Sequence, residues 1–359
     1  MTFASFRVKG LVSICVALAV ALAVAGAAER PVPSSVSPEA QAYLGRLQPR
    51  PQVALDYGDP AVMERLRNGL GRMFLASARR IRDDYTLEAI DAGGVPAVWV
   101  HTPVPVRKGK VLLYIHGGGF ILGSATTDLA LPLRIGPATG LPVLSVDYRL
   151  APEHPYPAAA NDVLAAYRWL LKQGYKARDI GVLGDSAGGD LALVLVLAAR
   201  DAGLPAPAAI AVLSPVTDMT GSGDTRVTLG TADPILSGDA PARWSAYLGG
   251  QEPGDPKVSP VFADLRGFPP LLVQVGTREV LLSDSVRLAR KARTDGVDVT
   301  LDVWEGMWHV WQGNPDVPES KAAANEIAAF FRRHVLGQRH VPANVGRESE
   351  ARLPADAPA

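Results

Sequence analysis

Cysteine is all but missing from this chain. Its 359 residues hold one, Cys15, inside an amino-terminal apolar run. Once that run is removed no thiol is left, which excludes disulfides, cysteine-ligated metal and a cysteine nucleophile. An excess of either charge is missing as well: 36 lysine and arginine residues balance 36 aspartate and glutamate residues. No domain-scale basic surface recommends nucleic acid as a partner. Long apolar runs are confined to one place, Leu11 to Ala28, and the chain has no internal repeat. What is present, 48% hydrophobic and 20% charged residues, fits a folded protein with a sizeable core, as one large domain or two ordinary ones.

The apolar run has the marks of a secretory signal. Arg7 and Lys9 precede it, and Ala25-Gly26-Ala27 ends it with an A-x-A-like cut, giving a signal peptide over residues 1–27. The alternative is an uncleaved anchor, for which this run is of borderline length. After cleavage no stable membrane span is expected. The protein is then exported, to the periplasm or the exterior. A Pro/Ser linker follows over 28–37. Helices and first strands are expected over 38–100, with Asp59-Pro60 as a helix start. From 101 to 336 short apolar runs ("VLLYI", "LPVLSV", "IGVLG", "AIAVLS", "PLLVQV", "VTLDVW") alternate with amphipathic helical stretches. That rhythm predicts an α/β fold with a mostly parallel sheet covered on both faces. Residues 218–260 interrupt it as an insertion, and 337–359 read as a disordered tail.

Two glycine-rich turns carry the chemical signal. In "DIGVLGDSAGGDLALVL" a strand meets Gly184-Asp185-Ser186-Ala187-Gly188 and a helix follows. This is G-x-S-x-G in strand-turn-helix context, which projects a serine hydroxyl above the sheet. Alone the pentapeptide is weak; its setting strengthens it. An activated serine needs a base and a carboxylate to orient the base. Of six histidines, His309 in "WEGMWHVWQGNP" lies on a loop after the last strand-like run. Between Ser186 and His309, Glu279 follows the strand "LLVQV", with Asp284 on the next helix as the alternative. The second turn is "HGGGF", His116 to Phe120. Bare backbone at Gly117 and Gly118, with Ala187 after the serine, suits N–H groups aimed at an oxyanion. A phosphate-binding loop is disfavoured, because the Lys-Ser/Thr ending and the G-x-G-x-x-G spacing are absent.

Together "HGGGF", "GDSAGG" and "DYRLAPEHPYPAA" resemble the bacterial hormone-sensitive-lipase-like esterases of the α/β-hydrolase superfamily. The runs "LSPVTD" and "GTREVLLSDS" are similar to members with glutamate as the triad acid. The resemblance covers residues 38–336 and implies an α/β-hydrolase fold with a helical cap, made by residues 38–80 and completed by 218–260. It implies a serine carboxylic-ester hydrolase, with Ser186 as nucleophile, His309 as base, Glu279 as orienter, and Gly117, Gly118 and Ala187 as oxyanion donors. His116, Gly119, Asp185, Glu153 and His154 would be supporting residues. The substrate would be a small ester with a short acyl chain, and no metal or organic cofactor is implied. Two departures stand out: many members are cytoplasmic, and most carry Asp-Pro-Leu where this chain has Glu279-Val280-Leu281. A serine amidase, lactonase or deacetylase, or a non-catalytic ligand-binding relative, is the alternative. Six tryptophans and apolar helices are compatible with a homodimer, and equally with core packing.

Overall fold

Thr86–Asp91 (β1) and Pro96–His101 (β2) pair as an antiparallel hairpin. Five further runs become strands buried at every residue: Val111–Ile115 (β3), Val143–Val146 (β4), Ile180–Asp185 (β5), Ala209–Leu213 (β6) and Leu271–Gly276 (β7). Unbroken burial is what a strand covered on both faces requires. Val299–Trp304 (β8) closes one edge of an eight-stranded sheet ordered β1-β2-β4-β3-β5-β6-β7-β8. β2 joins β4 antiparallel, and every pairing from β4 through β8 is parallel. The computed structural model describes residues 31–47, 55–236 and 240–338. Residues 1–27, read as a signal peptide, the start of the stretch read as a linker and the tail beyond residue 338 lie outside the described residues.

Among the described residues the α-helices are Pro38–Arg46 (α1), Pro60–Ile81 (α2), Ala130–Thr139 (α3), Ala158–Lys172 (α4), Ala187–Asp201 (α5), Thr225–Thr228 (α6), Ala240–Leu248 (α7), Leu282–Thr294 (α8) and Pro318–His334 (α9). Alternation along each strand divides the core. Val111, Leu113 and Ile115 pack with Leu191 and Val194 of α5 and Leu288 of α8. Leu112 and Tyr114 face the other way, toward Leu131 and Ile135 of α3 and Ile327 and Phe331 of α9. Each such side chain contributes roughly 1.5–3 kcal/mol by leaving water. Among the described residues, no helix is long and apolar enough to cross a membrane.

The amino-terminal helices start where capping side chains allow. Asp59 accepts the Ala61 N–H at 2.8 Å, with Pro60 opening α2. Ser37 caps α1, and its hydroxyl donates to Glu319 of α9 at 2.9 Å. Residues 31–37, the end of the stretch read as a linker, lie against the loop after β8. A Cβ on Gly306 would stand 2.5 Å from Val36. α1 covers the same loop, with Ala40 and Leu44 packed on Met307, Trp308 and Trp311 and with Tyr43 stacked on Trp308 at 4.5 Å. The insertion 218–260 supplies α6 and α7, where Arg226 lies 4.3 Å over the Trp244 ring.

Candidate active site

One residue, Ser186, joins β5 to α5. So sharp a strand-to-helix reversal forces it to φ 53° and ψ −118°, a region that costs a non-glycine residue about 1–3 kcal/mol. Glycines on either side let the turn close. A Cβ on Gly184 would stand 2.2 Å from the Gly188 oxygen, and one on Gly188 2.1 Å from the Ile115 oxygen. The serine N–H donates to Leu213 at 2.8 Å, and its carbonyl accepts from Val216 at 3.1 Å. The hydroxyl therefore stands at the carboxyl ends of the parallel strands, where open α/β sheets gather their ligands.

A hydrogen-bonded chain runs from it. His309 Nε2 lies 2.9 Å from Ser186 Oγ, and His309 Nδ1 lies 3.0 Å from Glu279 Oε2. The other carboxylate oxygen of Glu279 accepts from the Gly276 N–H at 2.7 Å and the Ser214 hydroxyl at 2.8 Å. Glu279 is fully buried, and Ser186 and His309 are each 8% exposed. The two loops that bring acid and imidazole together are bound to each other. Thr277 donates to Trp304 and Arg278 to Met307, while a Cβ on Gly276 would collide with Met307 at 2.1 Å. Asp284, the alternative acid, goes elsewhere. Its Oδ2 accepts from the Thr217 and Asp218 N–H groups and from Arg226, so it fastens the insertion to α8.

The "HGGGF" loop passes beside the serine. A Cβ on Gly117 would lie 2.4 Å from Asp185 Oδ2 and 3.1 Å from Ser186 Cβ. Gly118 and Gly119 take φ 107° and 63°, values that glycine adopts freely. Carbonyls, not N–H groups, are what hold this loop. Tyr148 donates its hydroxyl to His116 O at 2.8 Å, with Gly117 O a weaker second acceptor at 3.3 Å. The His116 ring, stacked on Tyr148 at 4.3 Å, places Nδ1 2.8 Å from Gly117 O. In a trans peptide the C=O and the next N–H point oppositely. Fixing the carbonyls of 116 and 117 therefore fixes the N–H directions of Gly117 and Gly118. Ala187 opens α5, and the first N–H groups of a helix have no intrahelical acceptor.

The remaining expected residues fall around this core. Asp185 accepts from Tyr114 at 2.7 Å, and burial pushes its carboxyl up to about 6 against that hydrogen bond. Glu153 pairs with Arg67 of α2 through both oxygens at 2.8 Å. His154 is exposed. Arg67 also donates to Ile121 O and Ala151 O at 2.9 Å, joining α2 to the glycine loop. Arg67, Tyr148 and Ser214 were not singled out from the sequence, although "DYRLAPEHPYPAA" and "LSPVTD" contain the last two. Among the described residues the non-glycines with positive φ are Phe120, Ser186, Ser214 and Val310. Each belongs to one of the loops just described, so backbone strain collects at one place. Among the described residues no group of three His, Cys, Asp or Glu side chains is placed to hold a metal ion.

Comparison with known proteins identifies the fold and the family. Residues 112–313 match the family described as alpha/beta hydrolase fold. An acetyl-hydrolase of Streptomyces hygroscopicus is 40% identical over 274 residues, 72% of this chain and 90% of that protein. An esterase of Acinetobacter venetianus is 42% identical over 224 residues, 62% of this chain and 74% of its own length. Among solved structures, an esterase from the bacterial hormone-sensitive lipase family superposes with a TM-score of 0.76 at 40% identity, covering 83% of this chain and 99% of that one. The chain belongs to the alpha/beta hydrolase fold family and, within it, to the bacterial hormone-sensitive-lipase-like esterases, which as a class are carboxylic-ester hydrolases.

Proposed function

We propose that this protein hydrolyses short-chain carboxylic esters through Ser186, His309 and Glu279. The observation that carries the reading is the placement of one imidazole between hydroxyl and carboxylate, at 2.9 Å and 3.0 Å. His309 Nε2 takes the hydroxyl proton as Ser186 Oγ bonds to the ester carbonyl carbon. Negative charge passes to the carbonyl oxygen, which the N–H groups of Gly117, Gly118 and Ala187 receive. One such donor is worth about 3–4 kcal/mol in the transition state. The buried Glu279 carboxylate keeps Nδ1 protonated and stabilises the imidazolium. That imidazolium gives its proton to the departing alcohol as the carbon–oxygen bond breaks. Water, deprotonated by the same ring, then releases the acid from acyl-Ser186.

The short-chain reading draws on helices packed close around the site, α1 on the histidine loop and Tyr247 of α7 on Phe120 with ring centres 3.8 Å apart. The relative named acetyl-hydrolase points the same way. Export is proposed from the basic and apolar start of the chain alone. A series of nitrophenyl esters, from acetate through butyrate and octanoate to palmitate, tests the reading. The expected result is the highest kcat/KM at acetate or butyrate, with a fall of about tenfold or more by octanoate. Preference for palmitate would overturn the chain-length proposal, and no turnover of any ester would overturn the reaction.

A further inference from the structure

The turn that carries Glu279 is gripped from outside the sheet. Leu282 N–H donates to Glu279 O at 3.2 Å, and Leu281 sits at φ −87° and ψ 7°. Residues 279–282 therefore form a type I turn with Val280 at its second position. Side chains of the insertion take both backbone groups of Val280. Its N–H donates to Asp233 Oδ2 at 2.9 Å, and its carbonyl accepts from Thr225 Oγ1 at 2.8 Å. Asp233 is itself rigid: its Oδ1 accepts from Ile235 and Leu236 at 2.8 Å and 2.9 Å, and the residue is 2% exposed. Burial raises its carboxyl above the usual range, opposed first by the nearby His309 imidazole and then by the N–H donors.

We propose that Asp233 is a positioning residue for the proton relay. By accepting the Val280 N–H it fixes the turn that aims the Glu279 carboxylate at His309. The insertion would in this way set the geometry of the acid. A buried carboxylate that accepts three N–H groups and touches neither the serine nor the imidazole has no part in bond making. Beside the charge it presents to His309 through space, its positioning contribution passes through Val280. This inference rests on the relay proposed above.

Val280→Pro removes the donor without touching Asp233, and proline suits the second position of a type I turn. The experiment measures kcat, KM and melting temperature of the full chain, with nitrophenyl butyrate, for Asp233→Ala, Val280→Pro and the double variant. Each single change is expected to lower kcat about tenfold with KM within about twofold, because an interaction that orients the base acts on the chemical step. The double variant is expected to lose no more than the weaker single variant, as one shared hydrogen bond requires. Multiplicative losses in the double variant, or an unchanged kcat in Val280→Pro, would overturn the proposal. If Asp233→Ala does not fold, Val280→Pro decides alone through its kcat. A wild-type protein that turned over no ester would overturn this inference together with the reaction it serves.

Discussion

Tyr148 has a single hydroxyl hydrogen, yet the orientation of two peptides depends on it. It donates to His116 O at 2.8 Å and approaches Gly117 O at 3.3 Å, which fixes the N–H directions of Gly117 and Gly118. Tyr148→Phe keeps the ring and its stack on His116 and removes only the hydroxyl. A loosened oxyanion donor acts after binding, so kcat should fall roughly 10- to 100-fold while KM stays within about twofold. Steady-state kinetics on nitrophenyl butyrate would show this, and an unchanged kcat would mean that the histidine alone orients the loop. Ser186 and His309 could be read from the sequence, because an elbow has a spacing rule and histidines are few. Tyr148 and Ser214 could not. A hydroxyl that reaches a backbone carbonyl or a carboxylate across the fold leaves no periodic trace.

At the scale of elements, the strands were the readable part. Each of the six runs from residue 111 onward became a strand, five of them because a buried parallel sheet demands apolar sequence and the sixth, "VTLDVW", as the half-exposed edge. α3 has a weak helical signal in the sequence, because Gly136 and Pro137 interrupt it and both are breakers by propensity. Tertiary packing explains the glycine: a Cβ at 136 would stand 2.9 Å from Val143 of the neighbouring strand. Arg67 was hidden by distance, being 54 residues from Ile121 and 86 from Glu153. Its side chain and that of Glu153 are 28% and 47% exposed, so the ion pair alone is worth only about 0–1 kcal/mol. Bonds from a guanidinium to carbonyls are stronger, about 1.5–3 kcal/mol each. Glu153→Gln should therefore change kcat/KM less than threefold or so, whereas Arg67→Ala, which frees α2 from the glycine loop, should cost about tenfold or more. Equal effects of the two variants would assign the clamp to the ion pair.

Across the whole molecule, the site is assembled from segments that only the complete sheet brings together. The glycine loop follows β3, the serine follows β5, the acid follows β7 and the histidine follows β8. α1 seals the histidine loop through Tyr43 and Trp308, and the insertion holds the acid turn through Thr225 and Asp233. The sequence contains each contributor, but not the fact that Asp284 turns away to Thr217 while Glu279 reaches His309. Only the path of α8 decides that. Peptide mass mapping after treatment with diethyl nitrophenyl phosphate tests whether Ser186 is the nucleophile. One phosphoryl adduct per chain is expected, on Ser186, gained in step with the loss of ester hydrolysis. An unmodified Ser186 in an inactivated protein, or ester hydrolysis that continues with Ser186 fully labelled, would contradict it.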